Sequence, residues 1–477
     1  MELHWVDLSI FIIYMILMLG IGIYFSKKNN SADDYYVGGR TMNPTHIGLS
    51  VVATDVGGGF SIGLGGLGFT MGISGSWMLF TGLFGAWLAA VFLIPRLYQL
   101  KSIATLTTFP QMFKELFDAR TAMVAGIISA IGYIGFTSSQ LLAGAKLASS
   151  TFTGLEMNHA LLIMGAIAVI YTAIGGIKAV IFTDTIQWIF LLSGLIFIGI
   201  PLGYMAIGGY EAIASTLPPE LLSLTNLSWV DLVNWSFTIV PIWFVGMTLY
   251  QRIYACGNVK NAKKAWYVAG LFEWPIMAFL GTILGLFARV ALEQGMFAEQ
   301  GFTELDSFDP ETGLPIFLSQ ILPVGIMGLM MSAYFSAILS TADSCLMAAS
   351  GNVISDILKV ETGFMSKDLR RAQIATFVLG VLALVLATVM TSVLELMLYS
   401  YAFMVSGLFV PVIFGLFTKM HSSLAAFLSM LFGGTFTLVL MIMGHRLPFG
   451  LDPNIMGISI SFVTYLITYK IHKNAQY

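Results

Sequence analysis

Ala53-Thr54-Asp55-Val56-Gly57-Gly58-Gly59-Phe60-Ser61-Ile62-Gly63 places a carboxylate and three consecutive glycines inside an apolar run that extends over residues 46–72. Glycine is the weakest helix former after proline, so the run is expected to break near the triple glycine. Irregular backbone at membrane depth is tolerated only where it is buried in protein or lines a watery cavity. A break of that kind also frees carbonyls that can coordinate a cation. Gly63, Gly65, Gly66 and Gly68 follow, and for these the competing reading is close helix packing through small residues. Residues 63–68 also spell GxGxxG, but no strand precedes them, so the dinucleotide reading is discarded.

The rest of the chain fixes the solvent in which that break sits. Of 477 residues, 57% are hydrophobic and only 10% charged, against roughly 25% charged in a soluble domain. A helix needs about 20 apolar residues to cross a bilayer. Thirteen stretches qualify, at 5–26, 46–72, 75–95, 120–150, 158–176, 179–206, 230–251, 264–292, 315–352, 370–391, 393–418, 421–444 and 453–470. The first opens with Glu2 and Asp7 and lacks a positive n-region, so it reads as a retained helix and not a signal peptide. The expected fold is an all-α integral membrane protein. The net charge of -3 with no basic face excludes nucleic-acid binding. Cys256 and Cys345 have no metal or disulfide spacing and read as packing residues.

Positive charges orient the chain. With the N-terminus outside and the C-terminus inside, 19 of the 22 Lys and Arg residues are cytoplasmic, and only Lys146, Arg289 and Arg446 are not. The segment from Glu293 to Glu311, outside on this reading, carries six acids and no base.

Four acids, Asp55, Asp184, Glu273 and Asp343, fall within spans. Together they cost roughly 10–14 kcal/mol on insertion scales, and no Lys or Arg close in sequence is expected to be buried with them. A bound cation or a bound proton then supplies the balancing charge. In the ninth span, Ala337, Ser340, Thr341 and Ser344 share one helical face with Asp343 at its edge. Three hydroxyls and a carboxylate suit a hard cation such as sodium. Hydroxyls that bond back to their own helix are the bland alternative, and Asp343 tips the reading to an ion site. Asp184 is read either as a cation ligand or as an interfacial acid paired with Lys178. Glu273 is read as structural, within reach of the cytoplasmic interface, and Lys146 and Glu395 as snorkelling. Trp243 lies mid-span beside Pro241 and is a candidate substrate contact. There is no nucleophile elbow, P-loop or catalytic carboxylate pair, so an enzyme is not expected.

The sequence resembles the sodium/solute symporter family. The resemblance rests on Asp33-Asp34-Tyr35-Tyr36-Val37-Gly38-Gly39-Arg40, on Tyr171 to Gly176 followed by Thr183-Asp184, and on Leu339-Ser340-Thr341-Ala342-Asp343-Ser344. It implies a LeuT-type core of inverted repeats. Residues 1–45 would form a leading helix and cytoplasmic loop, 46–206 the first repeat of five helices, 230–418 the second, and 419–477 two trailing helices. It implies one sodium site from the carbonyls of Ala53, Val56 and Ala337 with the hydroxyls of Ser340 and Thr341. A second would use Asp184, Ser340, Asp343 and Ser344. Substrate candidates are Asp55, Gly57, Gly58, Gln140 and Trp243.

Within the family, Ala53-Thr54-Asp55 is similar to proline permeases, whereas Val56-Gly57-Gly58-Gly59 and Tyr250-Gln251-Arg252 are similar to high-affinity choline transporters. The expected function is sodium-coupled import of a proline-like zwitterion across a plasma membrane, the prokaryotic inner membrane by resemblance to the proline permeases. Choline, betaine, pantothenate, carboxylates and sugars are the competing solutes, and protons the competing ion. The expected partners are a small solute, sodium ions and the lipid bilayer, with no obligate protein partner evident.

Overall fold

The computed structural model describes residues 4–26, 37, 40, 42–152, 154–175, 177–359, 366–444 and 447–474. Within helices, side chains including those of Val56, Gly58 to Ser61 and Ile177 to Thr183 also fall outside the description. Asp33 to Tyr36, Gly38, Gly39, Gly176, Lys27, Lys28 and Arg446 lie outside the described residues.

All regular structure among the described residues is helical, as the composition requires of a chain with lipid as its solvent. The helices are α1 (Trp5–Ser26), α2 (Pro44–Gly58), α3 (Gly65–Met71), α4 (Trp77–Leu88), α5 (Ala119–Thr151), α6 (Met157–Gly175) and α7 (Ile177–Gly194). Helix continues from α7 through Leu195–Gly199 and Ile200–Ala206, and after a connecting segment over 207–228 come α8 (Trp229–Val245), α9 (Met247–Ala255), α10 (Val259–Leu271), α11 (Ala278–Glu293), α12 (Pro310–Ile321), α13 (Ile326–Gly351), α14 (Ser366–Ala387), α15 (Val393–Phe417), α16 (Ser423–Ile442) and α17 (Pro453–Asn474). Each of the thirteen apolar stretches coincides with helix, with one correction. The ninth, at 315–352, is two helices, because Pro323 removes a backbone donor and disfavours helix at Leu322, and Gly325 turns at φ 88°. By length and apolarity, nine helices among the described residues can cross a membrane, or ten with the bent pair α8–α9, so thirteen is not reached by that measure. Trp5–Met18 and Met157–Ala173 are shorter apolar helices.

Helix α13 occupies the centre and packs on α5, α7, α1 and α2. Its residues from Met330 to Gly351 are all buried, which explains how it carries so many hydroxyls: they face protein, not lipid. The start of α13 is held from outside its own sequence. The Asp7 carboxylate accepts hydrogen bonds from the backbone N–H groups of Gly325 and Gly328, each at 2.7 Å, satisfying donors that every helix N-terminus leaves open. Asp7→Ala is expected to destabilise the protein by about 1–2 kcal/mol, in the range of lost helix caps, read as a lower melting temperature of the purified chain.

Three breaks interrupt the core helices. Gly57 in α2 leaves the helical region at φ 38°, ψ -128°, and a wide turn over Gly59–Leu64 follows. Between α8 and α9 the axis bends by 42° at Gly246, whose ψ of 113° is extended. Between α10 and α11, Trp274 is extended at φ -138°, ψ 126°, within Phe272–Met277. The expected break at the triple glycine is therefore present and centred on its first residue. At Gly65 and Gly68 the packing reading applies as well: a Cβ on Gly68 would lie 2.2 Å from the Thr282 carbonyl oxygen, so α3 and α11 touch backbone to backbone.

Candidate functional site

The break in α2 meets the hydroxyl stripe of α13. A Cβ on Gly57 would lie 2.2 Å from Thr341 Oγ1, so only glycine allows this approach. The Thr341 hydroxyl is directed at two carbonyl oxygens, Ala53 O across the interface at 2.9 Å and Ala337 O of its own helix at 3.3 Å. Three oxygens from two helices thus converge beside the break. Val56 and Gly58 belong to the same turn of α2. Ser340 does not join this group: its hydroxyl donates to Asp184.

Asp184, on α7, has no exposed surface and anchors a second polar cluster. Ser50 donates to its other oxygen at 2.5 Å. The cation expected beside these acids is partly supplied by the protein, which corrects the sequence reading. Arg252 of α9 is fully buried with its guanidinium 3.7 Å from the Asp184 carboxylate. It also donates to Ser50 Oγ at 3.1 Å, Thr54 Oγ1 at 2.6 Å, Ser344 Oγ at 2.9 Å and the Thr248 carbonyl oxygen at 3.1 Å. The planar guanidinium, with five donors, thereby joins α2, α7, α9 and α13. The sequence put Arg252 just past the cytoplasmic end of the 230–251 span, whereas the bend at Gly246 carries α9 through the core. Asp184 is accordingly not an interfacial acid. Asp343 is buried nearby and accepts from the Thr172 hydroxyl of α6. It lines a small cavity with Ser340, Tyr171, Gln187, Met15 and Met18.

Asp55 lies on the other side of the break. Tyr401 of α15 donates to it at 3.0 Å, and the Glu273 carboxyl adjoins it. Glu273 does not reach an interface. It is fully buried, because the helical segment begins at Val259 and not 264, placing Glu273 about 21 Å along the axis at 1.5 Å per residue. Lys146 also departs from expectation: instead of snorkelling it is buried and binds Asp309 and Glu311 at 2.6 Å each. Gln140 on α5 is buried and donates to Ser139 at 3.1 Å. Trp243 is buried against Gly85 of α4 and edge-on to Trp266 of α10, 6.2 Å between ring centres. Cys256 and Cys345 are buried free thiols.

Sequence reasoning missed Arg252, Ser50, Thr54 and Tyr401 as members of these clusters. Arg252 carried a usable signal, an arginine one residue beyond an apolar span interrupted by Pro241 and Gly246. The two hydroxyls and the tyrosine carried none, since such side chains occur throughout the chain.

The sequence profile described as the sodium:solute symporter family matches residues 35–433. The high-affinity proline transporter PutP of Bacillus subtilis (strain 168) is 27% identical over 439 residues, covering 88% of this chain and 89% of that protein. The osmoregulated proline transporter OpuE of the same organism is 27% identical over 474 residues, covering 97% and 94%. Among solved structures, a Na+-coupled sialic acid symporter superposes with a TM-score of 0.79 at 23% identity, covering 98% of each chain.

Proposed function

Because the chain belongs to the sodium:solute symporter family, a family of secondary transporters and not of enzymes, we propose that it imports a proline-like zwitterion with sodium by alternating access. Sodium as the coupling ion, a small solute as cargo and a multi-pass place in the membrane come with the family. The finer assignments are our reading. The observation that carries it is the convergence of Ala53 O, Ala337 O and the Thr341 hydroxyl at the Gly57 break. Oxygens of this kind suit a hard monovalent cation, as they suit calcium and magnesium, and Val56 O would complete the first sodium site, with the Ser340 hydroxyl joining it only by turning from Asp184. A second sodium would fall to Asp343, with Ser340, Ser344 and Asp184. Arg252 already offsets the charge of Asp184, so Asp343 is the acid with charge to spare. Asp55, Gly57, Gly58, Gln140 and Trp243 are the proposed solute contacts.

Residues 46–206 and 230–418 would be the inverted repeats. The breaks support this, since α2 opens the first segment and the bent pair α8–α9 opens the second, and matching interrupted helices mark the two halves of such transporters. The cytoplasmic bias of Lys and Arg supports an outer N-terminus and an inner C-terminus.

Sodium bound between α2 and α13 would hold the two helices together in the state that accepts solute. Its loss to the cytoplasm would loosen them. Each charge carried inward gains about 2.3 kcal/mol per 100 mV, enough for roughly 50-fold accumulation from voltage alone. The test is uptake of labelled proline into proteoliposomes under an inward sodium gradient, a proton gradient or neither, with unlabelled choline, betaine, pantothenate and sugars as competitors. Uptake that needs sodium and is blocked by proline supports the reading; proton-driven uptake without sodium, or block only by choline or sugar, sinks it. Thr341→Ala and Ser340→Ala are each expected to raise the half-saturating sodium concentration several-fold to tenfold, since a lost neutral hydrogen-bonding ligand is worth about 0.5–1.5 kcal/mol. An unchanged sodium dependence in both variants would remove the first site.

A further inference from the structure

We infer that Glu273 and Asp55 form one subsite that holds the ammonium group of the solute, an inference that rests on the zwitterion reading above and adds Glu273 to it. Both carboxyls are buried and adjoin each other, and each stands at a break, Asp55 two residues before Gly57 and Glu273 one before Trp274. Neither oxygen of Glu273 has a hydrogen-bond donor among the described residues. What faces it is a second acid, and beyond it Gly82 of α4, where a Cβ would lie 1.9 Å from Oε2. A buried, unsolvated carboxylate in such surroundings needs either a proton or a positive partner.

Among the described residues, the buried basic side chains are committed elsewhere. Arg252 bonds Ser50, Thr54 and Ser344 and pairs with Asp184, and Lys146 pairs with Asp309 and Glu311. Of the four intramembrane acids, Arg252 offsets one, leaving three negative charges. A sodium ion beside Asp343 offsets one of them, and a solute ammonium between Asp55 and Glu273, although the zwitterion adds no net charge, supplies the local positive group that these two lack. The Tyr401 hydroxyl holds Asp55 in place.

The test titrates the purified full chain, in nanodiscs and sodium, with four probes read by thermal protection. Proline carries both ionic groups, pyrrolidinium keeps the ammonium and drops the carboxylate, cyclopentanecarboxylate does the reverse, and choline is an ammonium of different shape. Proline and pyrrolidinium are expected to protect the wild type and cyclopentanecarboxylate to leave it unchanged. Glu273→Gln is expected to raise the half-saturating concentrations of proline and pyrrolidinium about ten- to a hundredfold, the range for a lost bond to a charged group, with protection by sodium intact. Glu273→Asp keeps the charge and is expected to fall between. If Glu273→Gln loses sodium protection as well, it has not folded, and the wild-type ranking of probes with the Glu273→Asp shift decides. Protection by choline but not proline leaves the subsite standing and removes the proline-like reading. Unchanged proline affinity in Glu273→Gln overturns the subsite alone. Protection by cyclopentanecarboxylate alone, or by no ammonium compound, also overturns it; the latter is the behaviour of two carboxyls that share a proton.

Discussion

Gly57→Ala is expected to lower sodium-dependent uptake at least a hundredfold while the protein still inserts in the membrane. Two independent effects act at this position. The backbone is at φ 38°, ψ -128°, a conformation that residues with a Cβ rarely adopt. The added Cβ would also lie 2.2, 2.7 and 2.8 Å from Thr341 Oγ1, Cβ and Cγ2. Because the clash includes the Thr341 Cβ, no rotation of that side chain relieves it; α2 must part from α13 or straighten. Either response withdraws the Thr341 hydroxyl from Ala53 O. Gly63→Ala is the informative comparison, since its Cβ would approach Leu394 no nearer than 3.1 Å, at Cβ, a contact that a shift of a few tenths of an ångström relieves. That variant is expected to retain most uptake. Initial rates in proteoliposomes, normalised to inserted protein, check both. Uptake by Gly57→Ala within threefold of wild type would show that the break does not build the ion site.

Arg252→Ala is expected to be the most destabilising single change in the core, by about 3–5 kcal/mol, the range for a buried ion pair stripped of one partner. It leaves the Asp184 carboxylate buried without its cation and removes donors from Ser50, Thr54 and Ser344 at once. Arg252→Lys is not expected to restore stability, because an ammonium cannot reproduce the planar fork that reaches four helices. Adding Asp184→Asn to Arg252→Ala should recover part of the loss by removing the stranded charge. Melting temperatures in sodium of wild type, Arg252→Ala, Asp184→Asn and the double variant, compared as a double-mutant cycle, check this. If Arg252→Ala melts with wild type, the ion pair is not what holds α9 inside the core.

These two positions differ in how far sequence could foresee them. Gly57 was legible because a triple glycine in an apolar run has few meanings: the local cost of helix there is large and tertiary packing cannot add a side chain. The stripe Ser340, Thr341, Ser344 was legible by helical spacing, and Asp343 by the cost of a carboxylate in lipid. Its division between sites was not, since Ser340 and Thr341 are neighbours in sequence yet bond to different helices, Ser340 to α7 and Thr341 to α2. Of the two readings of Asp184, the interfacial one failed for a related reason. Proximity along the chain suggested Lys178, whereas the guanidinium arrives from 68 residues away, on a helix that only the bend at Gly246 turns inward.

The amino-acid sequence by itself determined that the chain is a bundle of membrane helices, where the second of them breaks, and which family it resembles. These depend on composition, on hydropathy over windows of about 20 residues and on local backbone cost, all properties of short segments. Only the tertiary structure decided which acid has a protein cation, which hydroxyl serves which helix, and that Glu273 lies beside Asp55 and not at the interface. Those outcomes depend on how bent helices cross, and pairing across a low-dielectric interior is settled by a few ångströms of approach that no single segment encodes.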